Sequence, residues 1–204
     1  MKKQKLSAIY LAAGNSSRMG RNKLALPLGN SFLGCKALQT AIDVRLFEKI
    51  VVIIKSDDSL KWIDPLKNLE NLVFISINES TEGLSVSLKK GIEHVMDYGA
   101  DGAMILLADQ PFITEDILRQ LVNVFQENTD CSFVAASHQG IIQPPLIVSK
   151  EIFHEFKRLR GDEGARKLFR DSNEMRGITI EFQKESLTDI DTYEEYVFWH
   201  GRFT

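Results

Sequence analysis

Four short apolar runs decide what this chain can become. Residues 49–55 (KIVVIIK) and 102–108 (GAMILLA) are apolar almost throughout and no longer than a strand, and residues 6–13 and 72–77 are close to that pattern. A short β-branched run bounded by charges or glycine fits a strand buried on both faces, the situation in a parallel sheet. Between the runs the apolar spacing becomes helical. Residues 32–46 carry Phe32, Leu33, Ala37, Leu38, Ala41 and Ile42, and residues 86–98 carry Leu88, Ile92, Val95 and Met96 ahead of a C-capping Gly99. A short helix is expected at 62–69. Thr114, followed by Glu115 and Asp116, reads as the N-cap of a helix with Ile117, Leu118, Leu121, Val122 and Phe125 on its inner face. Strand, helix, strand, helix in this order implies βαβ units, hence an α/β fold with a mostly parallel sheet and helices on both faces.

The remaining third is more mixed. Strands are expected at 132–137, 145–148 and 178–182, the last at an edge or in a hairpin because it alternates. Helices are expected from the Ser149 cap to 158, at 165–170 and at 192–199. With no repeat, low-complexity segment or linker, residues 1–204 read as a single domain.

Composition narrows the function classes. A net charge of −3 argues against a nucleic-acid-coating protein. Cys35 and Cys131 form no disulfide framework and no metal-ligand spacing, and they read as small core residues. The opening apolar run is broken at Gly14, so no secretory signal is expected, and no run reaches membrane-spanning length. The expectation is a soluble, cytoplasmic protein with no nucleic-acid or membrane partner.

The first strand runs into a polar, basic loop holding Gly14, Arg18, Gly20 and Lys23. Backbone N–H groups of such a loop can cradle anionic oxygens, Arg18 offers a planar fork of donors and Lys23 a compact charge. Neither common phosphate-loop spacing is present: five residues separate Gly14 from Gly20, and Lys23 comes three positions after Gly20. By spacing alone a polyphosphate site and an ordinary strand-to-loop junction stand level. Asp109 ends the fourth apolar run, where open α/β sheets bind ligands. Alone, it suits either a Mg²⁺ ligand or the cap of a turn. Asp189 and Asp191 form a third acidic site, and Asp191 or Thr192 also suits a helix cap.

Five segments, in order, together resemble one family. LAAGNSSRMGRNKLALP (11–27) is similar to the signature loop of nucleotidyltransferases built on a Rossmann-like sheet of the nucleotide-diphospho-sugar transferase (GT-A) type. LLADQP (106–111) resembles that group's metal-binding segment. EGLSVSLKKGI (82–92), GDEGARKLF (161–169) and DIDTYEEY (189–196) resemble segments of the MobA-like molybdenum cofactor cytidylyltransferases. The resemblance implies a three-layer α/β/α sandwich and transfer of CMP from CTP to molybdopterin with release of pyrophosphate. The product would be the cytosine dinucleotide cofactor of xanthine dehydrogenase-like enzymes, which makes such an enzyme a possible client. Carried over position by position, Leu11, Ala12, Ala13, Gly14, Gly83 and Ser87 (or Ser85) would contact the nucleotide. Arg18 and Lys23 would neutralise the triphosphate. Asp109, with Asp191 as second carboxylate, would hold Mg²⁺. Gln143, Pro144, Asp162 and Arg166 would face the acceptor. Ala13 favours CTP over GTP, since the guanylyl branch usually carries glycine there.

Two positions depart from the family pattern. Ala108 replaces the usual glycine before the metal-binding aspartate. Ile142 and Gln143 stand where a glycine and a His or Asn are usual, in the loop expected to face the acceptor. Two alternatives follow: the same chemistry on another acceptor (guanylyl transfer, or a sugar or alcohol phosphate), and a non-catalytic carrier of the cofactor.

Overall fold

The computed structural model describes residues 3–14, 19–64, 66–78, 83–171 and 175–202. One seven-stranded sheet runs through them. Its first strand, β1 (Leu6–Leu11), is buried along its whole length. A small hairpin follows, β2 (Pro27–Leu28) and β3 (Ser31–Phe32), then α1 (Lys36–Asp43), β4 (Ile50–Lys55), β5 (Leu72–Ile77), α2 (Gly83–Asp97) and β6 (Gly102–Leu107). Next come α3 (Glu115–Glu127), β7 (Phe133–His138), β8 (Ile141–Ser149), α4 (Ala165–Asp171), β9 (Gly177–Glu181) and α5 (Tyr193–His200). The strand order is β5-β4-β1-β6-β8-β7-β9. β1, β4, β5 and β6 are mutually parallel, β8 is antiparallel to both neighbours, and β9 pairs parallel with β7 at the edge.

The pleat divides the core into two layers. Ala8, Tyr10, Val52, Ile54, Met104 and Leu106 face one side, against Leu38 and Ala41 of α1 and Ile117, Leu118, Leu121 and Phe125 of α3. Ile9, Leu11, Val51, Ile53, Ala103 and Ile105 face the other, against Leu88, Ile92 and Val95 of α2 and Phe153, Phe156, Leu168 and Phe169 beyond β8. This is the expected three-layer sandwich. Alternate residues of one wholly apolar strand serve both faces, which is why the runs carry no polar alternation.

The structure corrects several element boundaries. β1 stops at Leu11 and α1 covers only 36–43. Phe32 belongs to the β2–β3 hairpin, Leu33–Cys35 is a 3-10 turn, and Arg45 at φ 53° follows the helix end. Residues 61–64 and 66–68 form turns rather than the expected helix. Trp62 and Ile63, adjacent in sequence, are both fully buried, and Pro65 has no amide proton to give a helix. α2 begins at Gly83, three residues earlier than expected, so Gly83 and Ser85 lie in a helix rather than a turn. Residues 150–158 are 3-10 helix, with Ser149 accepting from the Glu151 amide as its N-cap. β8 is longer than expected, and its register with β7 shifts between Ala135 and Ala136, opposite the cis peptide Pro144–Pro145.

Candidate active site

The carboxyl ends of β1, β4, β5 and β6 open on one side of the sheet, where an α/β fold places its ligands. A cavity of about 290 Å³ lies there. Leu11, Ala13 and Gly14 come to it from β1, Lys55 from β4, Asn78 from just past β5, and Asp109 from just past β6. Gly83 and Ser87 of α2 and Asp162 also line it. The start of a 15-residue helix thus faces the cavity, and a helix N-terminus favours an anionic ligand.

Asp109 also belongs to a cluster that joins three distant parts of the chain. Lys23 sits in the 3-10 turn Lys23–Ala25, near the end of the signature loop. Its ammonium donates to Asp109 Oδ2 at 2.7 Å, to Asp191 Oδ1 at 2.8 Å and to the Ile190 carbonyl at 3.1 Å. The Lys23 side chain is only 8% exposed, against 23% for Asp109 and 32% for Asp191. Burial alone would lower the lysine pKa; the two carboxylates outweigh it and hold the pKa above its usual value, so Lys23 stays charged.

The fold aims Asp191 by its own local means. Thr192 caps α5 with a full capping box: its side chain accepts from the Glu195 amide, and Glu195 accepts from the Thr192 and Asp191 amides. The Ile190 amide donates to the Asp109 carbonyl at 2.9 Å, and Tyr196 donates its hydroxyl to the Pro27 carbonyl at 2.8 Å. Cap and metal-site readings of 189–192 are therefore compatible: Thr192 caps, and Asp191 points at Lys23. Asp189 turns elsewhere, against Gln110. Among the described residues, Asp189 Oδ1 and Gln110 Oε1 are buried without a hydrogen-bond partner. Burial, reinforced by the negative charge of Asp109, raises the Asp189 pKa from 3.8 to about 6.

A second cavity, about 510 Å³, borders the cluster from the Asp191 side. Its wall includes Gln143, His138, Lys184, Asp189 and Asp191. The cluster thus stands between two cavities, with Asp109 lining one and Asp191 the other.

The sequence-based candidates fall into place as follows. Leu11, Ala13, Gly14, Gly83, Ser87 and Asp109 share the first cavity. Ala12 is buried beside it, its amide donating to the Ile53 carbonyl at 2.9 Å. Lys23, Asp109 and Asp191 meet. Of the four residues assigned to the acceptor, Gln143 lines the second cavity and Asp162 the first. Pro144 follows Gln143 at the cis peptide, and Arg166 is an exposed residue of α4. Arg18 lies outside the described residues. Lys55 and Asn78 were not among the candidates, although both sit at strand ends on the ligand side, a position that topology could have flagged.

Two carboxylates around one ammonium thus stand beside a cavity at the strand ends. The chain matches the model of the MobA-like NTP transferase domain over residues 8–176. It belongs to that family. Asp189 and Asp191 lie beyond the matched span, so the second carboxylate of this MobA-like chain comes from outside it. The chain is 39% identical over 203 residues to the purine catabolism protein PucB of Bacillus subtilis, covering 96% of each. It is 23% identical over 199 residues to the molybdenum cofactor cytidylyltransferase of Escherichia coli, covering 98% of this chain and 97% of the relative. Among solved structures, the Rv0371c homologue from Mycobacterium sp. strain JC1 superposes with a TM-score of 0.81 at 26% identity, covering 97% of this chain and 96% of that one. A manganese complex of Rv0371c from Mycobacterium tuberculosis gives 0.76 at 21% identity, covering 97% and 98%. The fold is that of the GT-A-type nucleotidyltransferases.

Proposed function

We propose that this nucleotidyltransferase moves CMP from CTP to molybdopterin, using a divalent cation such as Mg²⁺, and releases pyrophosphate. The convergence of Asp109 and Asp191 on one cation, between two cavities, carries the reading. The names of the relatives support the acceptor: one is a molybdenum cofactor cytidylyltransferase and one a purine catabolism protein, the setting of a xanthine dehydrogenase-like client. The family supports the nucleoside triphosphate.

The donor set fits a hard divalent cation. Two carboxylates from separate segments already point at one positive charge, and Mg²⁺ characteristically takes one or two carboxylates and completes its shell with water and substrate phosphates. Among the described residues no group of three His, Cys, Asp or Glu side chains forms a cage, so substrate oxygens would have to contribute. When bound by Asp109 and Asp191, the cation would neutralise charge developing on the phosphates.

The residues have simple tasks. Nucleotidyl transfer needs positioning and charge neutralisation more than a protein nucleophile. The first cavity receives the nucleotide, with Ala13, Gly14 and the start of α2 against it. An acceptor phosphate oxygen in the second cavity attacks the α-phosphorus. The bond from that phosphorus to the bridging oxygen of the β-phosphate breaks, and pyrophosphate leaves with the electron pair. Lys23 supplies a fixed positive charge beside this exchange, and its burial excludes water from one side of the site.

The test is pyrophosphate release from CTP, GTP, ATP and UTP with molybdopterin, each with Mg²⁺ and with EDTA. Mg²⁺-dependent turnover with CTP, lost in Asp109→Ala, supports the reading. Turnover with GTP instead moves the protein to the guanylyl branch. The loop holding Ile142 and Gln143 gives a second reading, the same chemistry on another phosphorylated acceptor. Turnover of CTP with a sugar or alcohol phosphate but not with molybdopterin would establish it. Maturation of a molybdenum hydroxylase that persists in full with Asp109→Ala would sink catalysis and leave a carrier.

A further inference from the structure

Residues 56–64, the last three of which were expected to begin a helix, build a strut behind Lys23. Asp58 is its centre. The carboxylate accepts from the Leu60 amide at 2.8 Å and from the Trp62 indole at 3.1 and 3.2 Å. Its Oδ2 also accepts from the side-chain amide of Asn22 at 3.2 Å. Asn22 is the N-cap of the turn carrying Lys23: its other side-chain atom, Oδ1, accepts from the Leu24 amide at 3.1 Å. One side chain therefore faces Asp58 with its donor and the Lys23 turn with its acceptor, so Asp58 fixes which way the amide is turned.

Packing repeats the link from the other side. Trp62 is fully buried. Gly34 lies between Trp62 and Leu24: a Cβ added there would stand 2.7 Å from Leu24 Cβ and 2.9 Å from the Trp62 ring. Lys23 is the only residue between Asn22 and Leu24, so its backbone is held on both flanks by the same strut. Asp58 also sits three residues past Lys55, which lines the first cavity at the end of β4, and its amide donates to the Lys55 carbonyl.

We propose that Asp58 is a positioning residue for the transfer reaction, acting through Asn22 to set where the Lys23 ammonium stands between Asp109 and Asp191. Among the described residues its carboxylate bonds Asn22, Leu60 and Trp62 rather than Lys23, Asp109 or Asp191. The proposal rests on the nucleotidyl-transfer reading for its kinetic test, but its structural test does not. Displacements of about 1 Å in an active site cost on the order of 10²-fold in rate. Asp58→Ala is expected to lower kcat by about 10- to 100-fold with the nucleotide KM within about twofold. Asn22→Ala should do the same. Asp58→Asn, which keeps an acceptor toward Leu60 and Trp62 but turns an N–H donor toward the Asn22 donor, should lower kcat as Asp58→Ala does while the protein stays folded.

The deciding experiment is a double-mutant cycle with Lys23→Ala. If Asp58 acts through Lys23, then Asp58→Ala lowers kcat no further once Lys23 is gone, because coupled residues are not additive. Two effects that multiply would overturn the proposal and leave Asp58 as a stability residue. Should the wild-type protein turn over no nucleotide, the function proposed above fails while this inference is still tested by ¹⁵N NMR. The Lys23 and Leu24 amide resonances must move in Asp58→Asn, and the Trp62 indole resonance, assigned with Trp62→Phe, must move in Asn22→Ala. Unmoved resonances in folded variants would refute the strut.

Discussion

Replacing Asp189 with asparagine should make the protein more stable, and only at the pH where Asp189 is charged. Asp189 Oδ1 and Gln110 Oε1 are both buried acceptors with no donor among the described residues. Burial and the neighbouring Asp109 charge raise the folded-state pKa from 3.8 to about 6. Below 3.8 the carboxyl is protonated both folded and unfolded and contributes no difference. Between 3.8 and about 6 the folded state holds the proton more tightly, so stability falls as pH rises. Above about 6 the full penalty is present. At about 1.4 kcal/mol per pKa unit the interval amounts to roughly 3 kcal/mol, and residual solvent access reduces it to about 2 kcal/mol. Asparagine removes the charge and brings two N–H donors to a place short of them. Urea unfolding in EDTA should therefore show Asp189→Asn more stable than wild type by about 2 kcal/mol at pH 8, and equal to it within about 0.5 kcal/mol near pH 4. A gain of the same size at both pH values would show that the cause is hydrogen bonding rather than charge. No gain at pH 8 would refute the reasoning altogether.

Lys23→Ala leaves Asp109 and Asp191 facing each other without their cation. In EDTA it should destabilise the protein by about 1–3 kcal/mol at pH 7, less than a fully buried pair because both carboxylates are partly exposed, and Mg²⁺ should restore part of the melting temperature. Gly83→Ala puts a methyl group at φ +66°, where it would meet the Gly161 carbonyl carbon at 2.4 Å and Asp162 Oδ1 at 2.5 Å. It should cost roughly 2 kcal/mol in chemical denaturation and weaken nucleotide binding several-fold by calorimetry, since the wall it displaces lines the cavity. Thr192→Ala removes the capping box of α5 and should cost about 1 kcal/mol, with a raised Mg²⁺ requirement in the transfer assay because Asp191 is the preceding residue.

What could be read from the sequence divides along physical lines. β4 and β6 were legible because a strand buried on both faces must be apolar at nearly every position, and the helices opened by Thr114 and Thr192 were legible because their caps are local chemistry. The β2–β3 hairpin is too short for any periodicity to register. The 62–69 segment misled because a buried Trp62 beside a buried Ile63 mimics part of a helical stripe, whereas its turn geometry comes from Asp58, whose partners include Asn22, 36 residues away. The Lys23–Asp109–Asp191 cluster joins residues 86 and 168 apart, and no spacing rule reaches that far. Its members came from the resemblance, and spacing alone left Asp109 open between ligand and turn cap. Gln143 and Asp162, both assigned to the acceptor by the resemblance, line different cavities, and the 161–162 turn packs on Gly83 through contacts that pattern does not encode.

The wide separation of the three charged residues also bears on folding. Closing the 23–191 contact is among the most entropically demanding steps this topology can ask for, and contacts of high sequence separation form slowly. A partly folded chain with β1, β4, β5, β6 and α2 assembled would already have most of the first cavity and Asp109, yet would lack Asp191. On the transfer reading proposed above, activity would then depend on the C-terminal segment that carries Asp191 having docked on Lys23.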